Sequence, residues 1–151
     1  MIDQSAVGTE LAPVSFPIDR SKLAELAKSF GDDDPVWWDP DAAHSAGFDG
    51  IPVTPTVTVL ISHWRAGGVT GLTQAIGADL ARVLHGEVTW EYLAPVRAGD
   101  ELTARQVIKD VSTREGKRGG AMTFITIDTE FTNQRGELAV RRTDTLIERG
   151  A

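Results

Sequence analysis

The sequence of 151 residues contains no cysteine, which excludes disulfide stapling, a thiol nucleophile and cysteine-ligated metal. Its three histidines, His44, His63 and His85, are spread along the chain without paired ligand spacing, so no zinc or other metal site is expected. Positive charge is also short. With 15 Lys+Arg against 22 Asp+Glu the net charge is −7, and the one dense basic stretch is Arg114 to Arg118, which makes nucleic acid an unsuitable partner. A membrane span needs about 18 consecutive apolar residues. The longest candidate, Ile51 to Ile61, is shorter and broken by Pro and Thr. Met1 to Glu10 carries acids and no apolar run, unlike a signal or transit peptide, so a cytoplasmic location is the expectation. What remains is an ordinary globular composition, 41% hydrophobic and 25% charged, at the length of one domain covering residues 1–151.

Ala12 to Ile18 reads as an edge strand, because Pro13 and Pro17 bias their predecessors away from helix. From Asp19 or Ser21 to Phe30 the residues Leu23, Leu26, Ala27 and Phe30 recur at helical spacing between a capping residue and Gly31. Asp32-Asp33-Asp34-Pro35 cannot continue that helix, and Asp39-Pro40 opens a short one that runs to Ala46. Thr54-Pro55 repeats the cap-plus-proline signal. The β-branched residues that follow favour a strand, but the start and stop signals and the apolar character of every face predict a buried helix over Thr54–Trp64. Gly67 to Ala78, punctuated by glycine, is expected to be a loop.

The rest reads as β. Ala81–Leu93 alternates, with Leu84, Val88, Trp90 and Tyr92 assigned to one face. Glu101–Glu115, Ala121–Thr132 and Glu137–Ile147 follow as strands separated by short turns, with Ile125, Ile127 and Phe131 on one face of the middle one. Consecutive strands so joined predict an antiparallel meander, and the all-round apolar helix ahead of it predicts a curved sheet wrapped around that helix. The fold class is therefore α+β, one domain with a core at about residues 12–149.

Several separated motifs give this arrangement a family likeness. Gly31-Asp32-Asp33-Asp34-Pro35-Val36-Trp37-Trp38-Asp39, Gly47-Phe48-Asp49-Gly50-Ile51, Pro95-Val96-Arg97-Ala98-Gly99-Asp100 and Thr132-Asn133-Gln134-Arg135-Gly136-Glu137-Leu138 occur in order. Together they resemble the MaoC-like (R)-specific enoyl-thioester hydratases and dehydratases of the hot-dog fold, over Val14 to Arg149. The resemblance implies an acyl-CoA or acyl-carrier-protein thioester as substrate carrier, no other cofactor, and a dimer. Active members pair an Asp with a His five positions later and hold the thioester carbonyl with a glycine amide. Carried over by position, Asp32 stands at the catalytic Asp, Asp34 at a neighbouring Asn, and Trp37 at the His. Indole exchanges no proton near neutral pH, so Trp37 cannot do the acid–base work of imidazole.

Thr54-Pro55-Thr56 lies where active members have His-Gly. Pro55 has no N–H to offer, which leaves Thr56 and Val57, at the start of the helix, as the first backbone donors for developing negative charge. Both departures match the histidine-free branch: the N-terminal dehydratase half of fatty-acid-synthase type, and the substrate-binding subunits that pair with a catalytic MaoC-like subunit. The resemblance thus implies Asp32 as the remnant of a catalytic site and Asp34, Trp37, Thr54, Thr56 and Val57 as substrate-facing.

Four functions follow in order of fit. The first is a subunit of a hydratase or 3-hydroxyacyl-thioester dehydratase that binds the acyl chain while a partner supplies Asp and His. The others are a self-sufficient homodimeric hydratase using Asp32, a non-catalytic acyl-binding protein, and a thioesterase. A thioesterase would place a carboxylate on the central helix, and Thr54–Trp64 has none. Asp32–Asp34 also reads as a solvated junction, Trp37 and Trp38 as packing residues, His63 as a structural histidine, and Arg114, Lys117 and Arg118 either as a phosphate-receiving cluster or a plain turn.

Overall fold

A computed structural model describes residues 2–116 and 120–150. Five strands form one antiparallel sheet: β1 (Glu10–Pro17), β2 (Val83–Tyr92), β3 (Glu101–Glu115), β4 (Ala121–Asn133) and β5 (Leu138–Arg149), in the order β1-β3-β4-β5-β2. Four helices precede β2: α1 (Arg20–Ser29), α2 (Pro40–Ser45), α3 (Ile61–Trp64) and α4 (Gly68–Ala75). The α+β class, the antiparallel sheet and the edge position of β1 are as the sequence implies.

The meander is shorter than expected. β3, β4 and β5 follow one another, but β2 pairs with β5 at the far edge and not with β3. Its connection to β3 cannot be a hairpin turn because Ala94 and Val96 are buried in the core on the way, and Pro52 bridges Arg97 beside them.

The face assignment along β2 also changes. Gly86 lies in a register shift between His85↔Leu146 and Glu87↔Thr145, an extra residue that flips the alternation. Val83 and His85 therefore share the concave face with Val88 and Trp90, while Leu84 points away and is half exposed. Nothing larger fits at Gly86 without displacement, since a Cβ there would lie 2.8 Å from Ile147 Cδ1.

Two helical expectations need correction. Thr54–Trp64 is not one α-helix buried on all sides: Val57–Leu60 is a 3-10 turn that passes into α3, and Val59 and Trp64 stand 44% and 54% exposed. A single sheet covers only one flank of this segment, so apolar residues on the other flank stay in solvent. Gly67 to Ala78 is not a loop but contains α4. The glycines serve the turn into the helix, where Gly67 and Gly68 take φ of +76° and +58°, and the close approach of Gly71 to the Ala66 carbonyl in the connection from α3.

The core has two parts. Phe16, Leu23, Val57, Leu102, Phe131 and Val140 belong to one, with Phe16 edge-on to Phe131 at 6.2 Å between ring centres. Ile108, Val111, Ile125, Ile127 and Leu146 belong to the other. Lys117 and Arg118, singled out as basic-cluster members, lie outside the described residues; Arg114 rests over the Phe124 ring at 4.9 Å.

Candidate functional site

The junction between α1 and α2 is built from carboxylates that bond to their own backbone. α1 stops at Gly31, whose φ of +74° turns the chain so that the Asp32 amide reaches back to Ala27 O at 3.0 Å. Asp32 Oδ1 then accepts from the Asp34 amide, Asp34 Oδ1 from the Val36 amide at 3.0 Å, and Asp39 Oδ1 from the Asp41 amide. Trp37 ends the 3-10 turn Pro35–Trp37 with its ring against the first core part.

That placement brings Asp32 and Trp37 together: Trp37 Nε1 donates to Asp32 Oδ2 at 2.8 Å. Both carboxylate oxygens of Asp32 thus hold N–H donors from the protein. Indole is a donor only. The pair can position a negative charge but cannot pass a proton along itself, and Asp34 is occupied as a cap. Trp38 lies next door with its carbonyl accepting from the Arg20 guanidinium.

Thr54, Thr56 and Val57 sit at the entry to the 3-10 turn. The Val57 amide donates to Thr54 O at 3.0 Å, so Val57 is not the free backbone donor that the sequence suggested; the turn needed to enter the helix uses it. The Thr56 amide meets no acceptor among the described residues. Thr54 is 4% exposed and its Oγ1 has no partner among the described residues. The Pro55 carbonyl accepts the Tyr92 hydroxyl, which ties β2 to this turn. Desolvation raises the Tyr92 pKa above its ordinary value, against the opposing pull of the Arg142 charge.

A polar cluster that sequence reasoning missed lies beyond, on the concave face. Trp90 Nε1 donates to Thr58 Oγ1 at 2.9 Å, and Arg142 Nη1 donates to Thr58 O at 3.0 Å. Arg142 Nε donates to Asp144 Oδ2 at 2.7 Å, and the other Asp144 oxygen is 3.1 Å from His85 Nε2. The signal was in the strand alternation, since Arg142 and Asp144 occupy the same phase as Val140 and Leu146. Among the described residues no group of side chains has the makeup of a metal site.

Residues 5–142 match the family described as FAS1-like, dehydratase domain region. A UPF0336 protein of Streptomyces avermitilis is 33% identical over 151 residues, which cover 99% of this chain and 97% of that one. Among solved structures, the HadBC complex (3R-hydroxyacyl-ACP dehydratase) of Mycobacterium tuberculosis aligns with a TM-score of 0.76 at 23% identity, covering 94% of this chain and 96% of that one. The ChsH1-ChsH2 complex of the same organism aligns with a TM-score of 0.69 at 22% identity, covering 95% and 98%. These two share the fold. With a single sheet partly wrapped around a short helix, and with a sequence match spanning nearly its whole length, the chain belongs to the FAS1-like dehydratase-region family of hot-dog proteins.

Proposed function

We propose that this protein is the acyl-binding subunit of an (R)-specific enoyl-thioester hydratase or 3-hydroxyacyl-thioester dehydratase, and that a partner hot-dog subunit supplies the Asp and His. The observation that carries the reading is the 2.8 Å bond from Trp37 Nε1 to Asp32. Hydration of an enoyl thioester needs a group that can both give and take a proton near neutral pH. The residue facing Asp32 can do neither.

What such a subunit retains is consistent with binding. The Thr56 amide stands at the start of the 3-10 turn, and the Trp37 ring packs against the part of the core that holds Val57 and Leu60. The proposed carrier is CoA or acyl-carrier protein, and a cytoplasmic role in fatty-acid or lipid metabolism belongs to the same proposal. β2 leaves one edge of its backbone unpaired at the rim of the sheet, and an unpaired edge of that length favours association with a second hot-dog sheet. Two structural neighbours, HadBC and ChsH1-ChsH2, are complexes, which supports a dimer with a different subunit.

Purification from the native host tests this. A co-purifying hot-dog subunit that carries both Asp and His, and turnover of trans-2-enoyl-CoA that requires it, is the expected result, with Asp32→Ala in this chain changing the complex's rate little. Full activity of the complex after the partner's His is removed would overturn the proposal. A self-sufficient enzyme using Asp32 would need a second proton-transferring group beside it, and the side chain bonded to Asp32 is the Trp37 indole.

A further inference from the structure

The concave face carries a polar row between apolar ones. Strand registers set Gln106, Thr129, Arg142 and Trp90 side by side across β3, β4, β5 and β2. On one side lie Ala104, Phe131 and Val140, and on the other Ile108 and Ile127, so the row separates the two parts of the core. Gln106 is 4% exposed and the Arg142 side chain 8%.

Counting donors and acceptors shows what this row leaves unused. Arg142 spends Nε on Asp144 and Nη1 on Thr58, and no described residue accepts from its Nη2. Gln106 Nε2 donates to Thr129 Oγ1 at 3.1 Å, but its Oε1 is buried with no partner among the described residues. A buried acceptor such as Gln106 Oε1 is seldom left this way. Both side chains line the same cavity of about 320 Å³ between the sheet and α4, with Leu72, Val83, Ile127 and Leu146 as apolar walls. That volume is at the small end of ligand pockets, which run from about 300 Å³ upward.

We infer that this cavity takes an apolar chain bearing a hydroxyl group, held between Gln106 Oε1 and Arg142 Nη2. A hydroxyl is both donor and acceptor, so a single oxygen serves both vacant groups. A carboxylate would satisfy Arg142 and leave Gln106 unpaired, a plain hydrocarbon would leave both unpaired, and an ammonium, a donor only, would pair with Gln106 Oε1 and leave Arg142 Nη2 unpaired beside a like charge. The acyl-binding reading above supplies the source of such a chain, as the distal part of a thioester, but the chemistry of the pocket does not depend on it.

Calorimetric titration of the full-length chain with n-octanol, octanoate and 8-hydroxyoctanoyl-CoA tests the inference. The wild-type chain binds n-octanol more tightly than octanoate. Gln106→Leu weakens n-octanol about tenfold, the loss of one hydrogen bond to a buried acceptor, and leaves octanoate unchanged. Val69→Trp, at an exposed position on the cavity rim, blocks both. Equal binding of octanol and octanoate, or octanol binding indifferent to Gln106→Leu or to Val69→Trp, overturns the inference; the comparison within the wild-type chain decides it if either variant fails to fold. Competition by 8-hydroxyoctanoyl-CoA identifies the chain as the tail of a thioester. Octanol binding without such competition supports the pocket, marks a free alcohol as its ligand, and counts against the acyl-thioester reading alone.

Discussion

Asp32 has lost its freedom at both oxygens, one to a backbone amide and one to the Trp37 indole, and this is the point on which the functional reading turns. Trp37→Phe keeps the ring and removes the donor. The expected cost is about 1 kcal/mol of stability, the worth of one partly exposed hydrogen bond, with hydration by the isolated chain unchanged. Denaturant unfolding and a steady-state assay measure the two, and a tenfold change in rate would mean that the Asp32–Trp37 pair takes part in chemistry. On the outer face Asp128 behaves as an ordinary structural carboxylate. Burial pushes its pKa up, but hydrogen bonds from Lys109 and Thr143 and the charges of Lys109 and Arg141 outweigh that and hold it below the usual value. A carboxylate whose folded pKa is depressed adds stability at neutral pH and loses it as pH falls through the folded value. Asp128→Asn should therefore cost about 1 kcal/mol at pH 7, with the difference closing below about pH 4, where the unfolded carboxyl also protonates. A difference that persists at pH 2 would show that the lost contribution is packing and not charge.

At the scale of elements, α4 is the part the sequence hid. Gly71 sits where a Cβ would lie 2.0 Å from Ala66 O, a backbone atom that cannot swing aside. Gly71→Ala must push α4 away from the short connection that joins it to α3. It should cost about 1–3 kcal/mol, as overpacking does, and thermal unfolding reads it; an unchanged midpoint would mean that α4 is only loosely held. The same residue explains the misreading, because glycine chosen for close approach looks in a sequence like glycine chosen for a loop. The five strands were legible from alternation and turn residues, and α1 and α2 from their caps. Strand order was not, since nothing local in Leu93–Asp100 tells a hairpin from a crossover. The face of β2 was misassigned for a similar reason: one bulge at Gly86 shifts every side chain before it. At the site, the spacing of Asp32 and Trp37 matched the family's Asp and His positions, but the bond between them was not read from the sequence. The use of the Val57 amide by Thr54 and the row through Gln106 and Arg142 depend on how distant strands align, which no single stretch of sequence records.

For the whole molecule, Val59 and Trp64 on the central helical segment and Tyr92 and Leu93 at the end of β2 are large apolar residues left exposed, which favours association. The isolated chain should sediment as a dimer at micromolar concentration even where its natural partner is a different subunit, and a stable monomer would contradict the edge-to-edge association inferred from β2. An inactive but correctly assembled subunit is the state this account assigns to the chain by itself. General acid–base catalysis contributes about 10²–10⁴-fold per group, and the residue opposite Asp32 supplies none of it. The most direct measurement is steady-state hydration of crotonyl-CoA and longer trans-2-enoyl-CoAs by protein freed of any other hot-dog subunit. The account predicts a rate at or near background, indifferent to Asp32→Ala. Turnover on the order of 10 per second, the usual range for enzymes, abolished by Asp32→Ala, would contradict it.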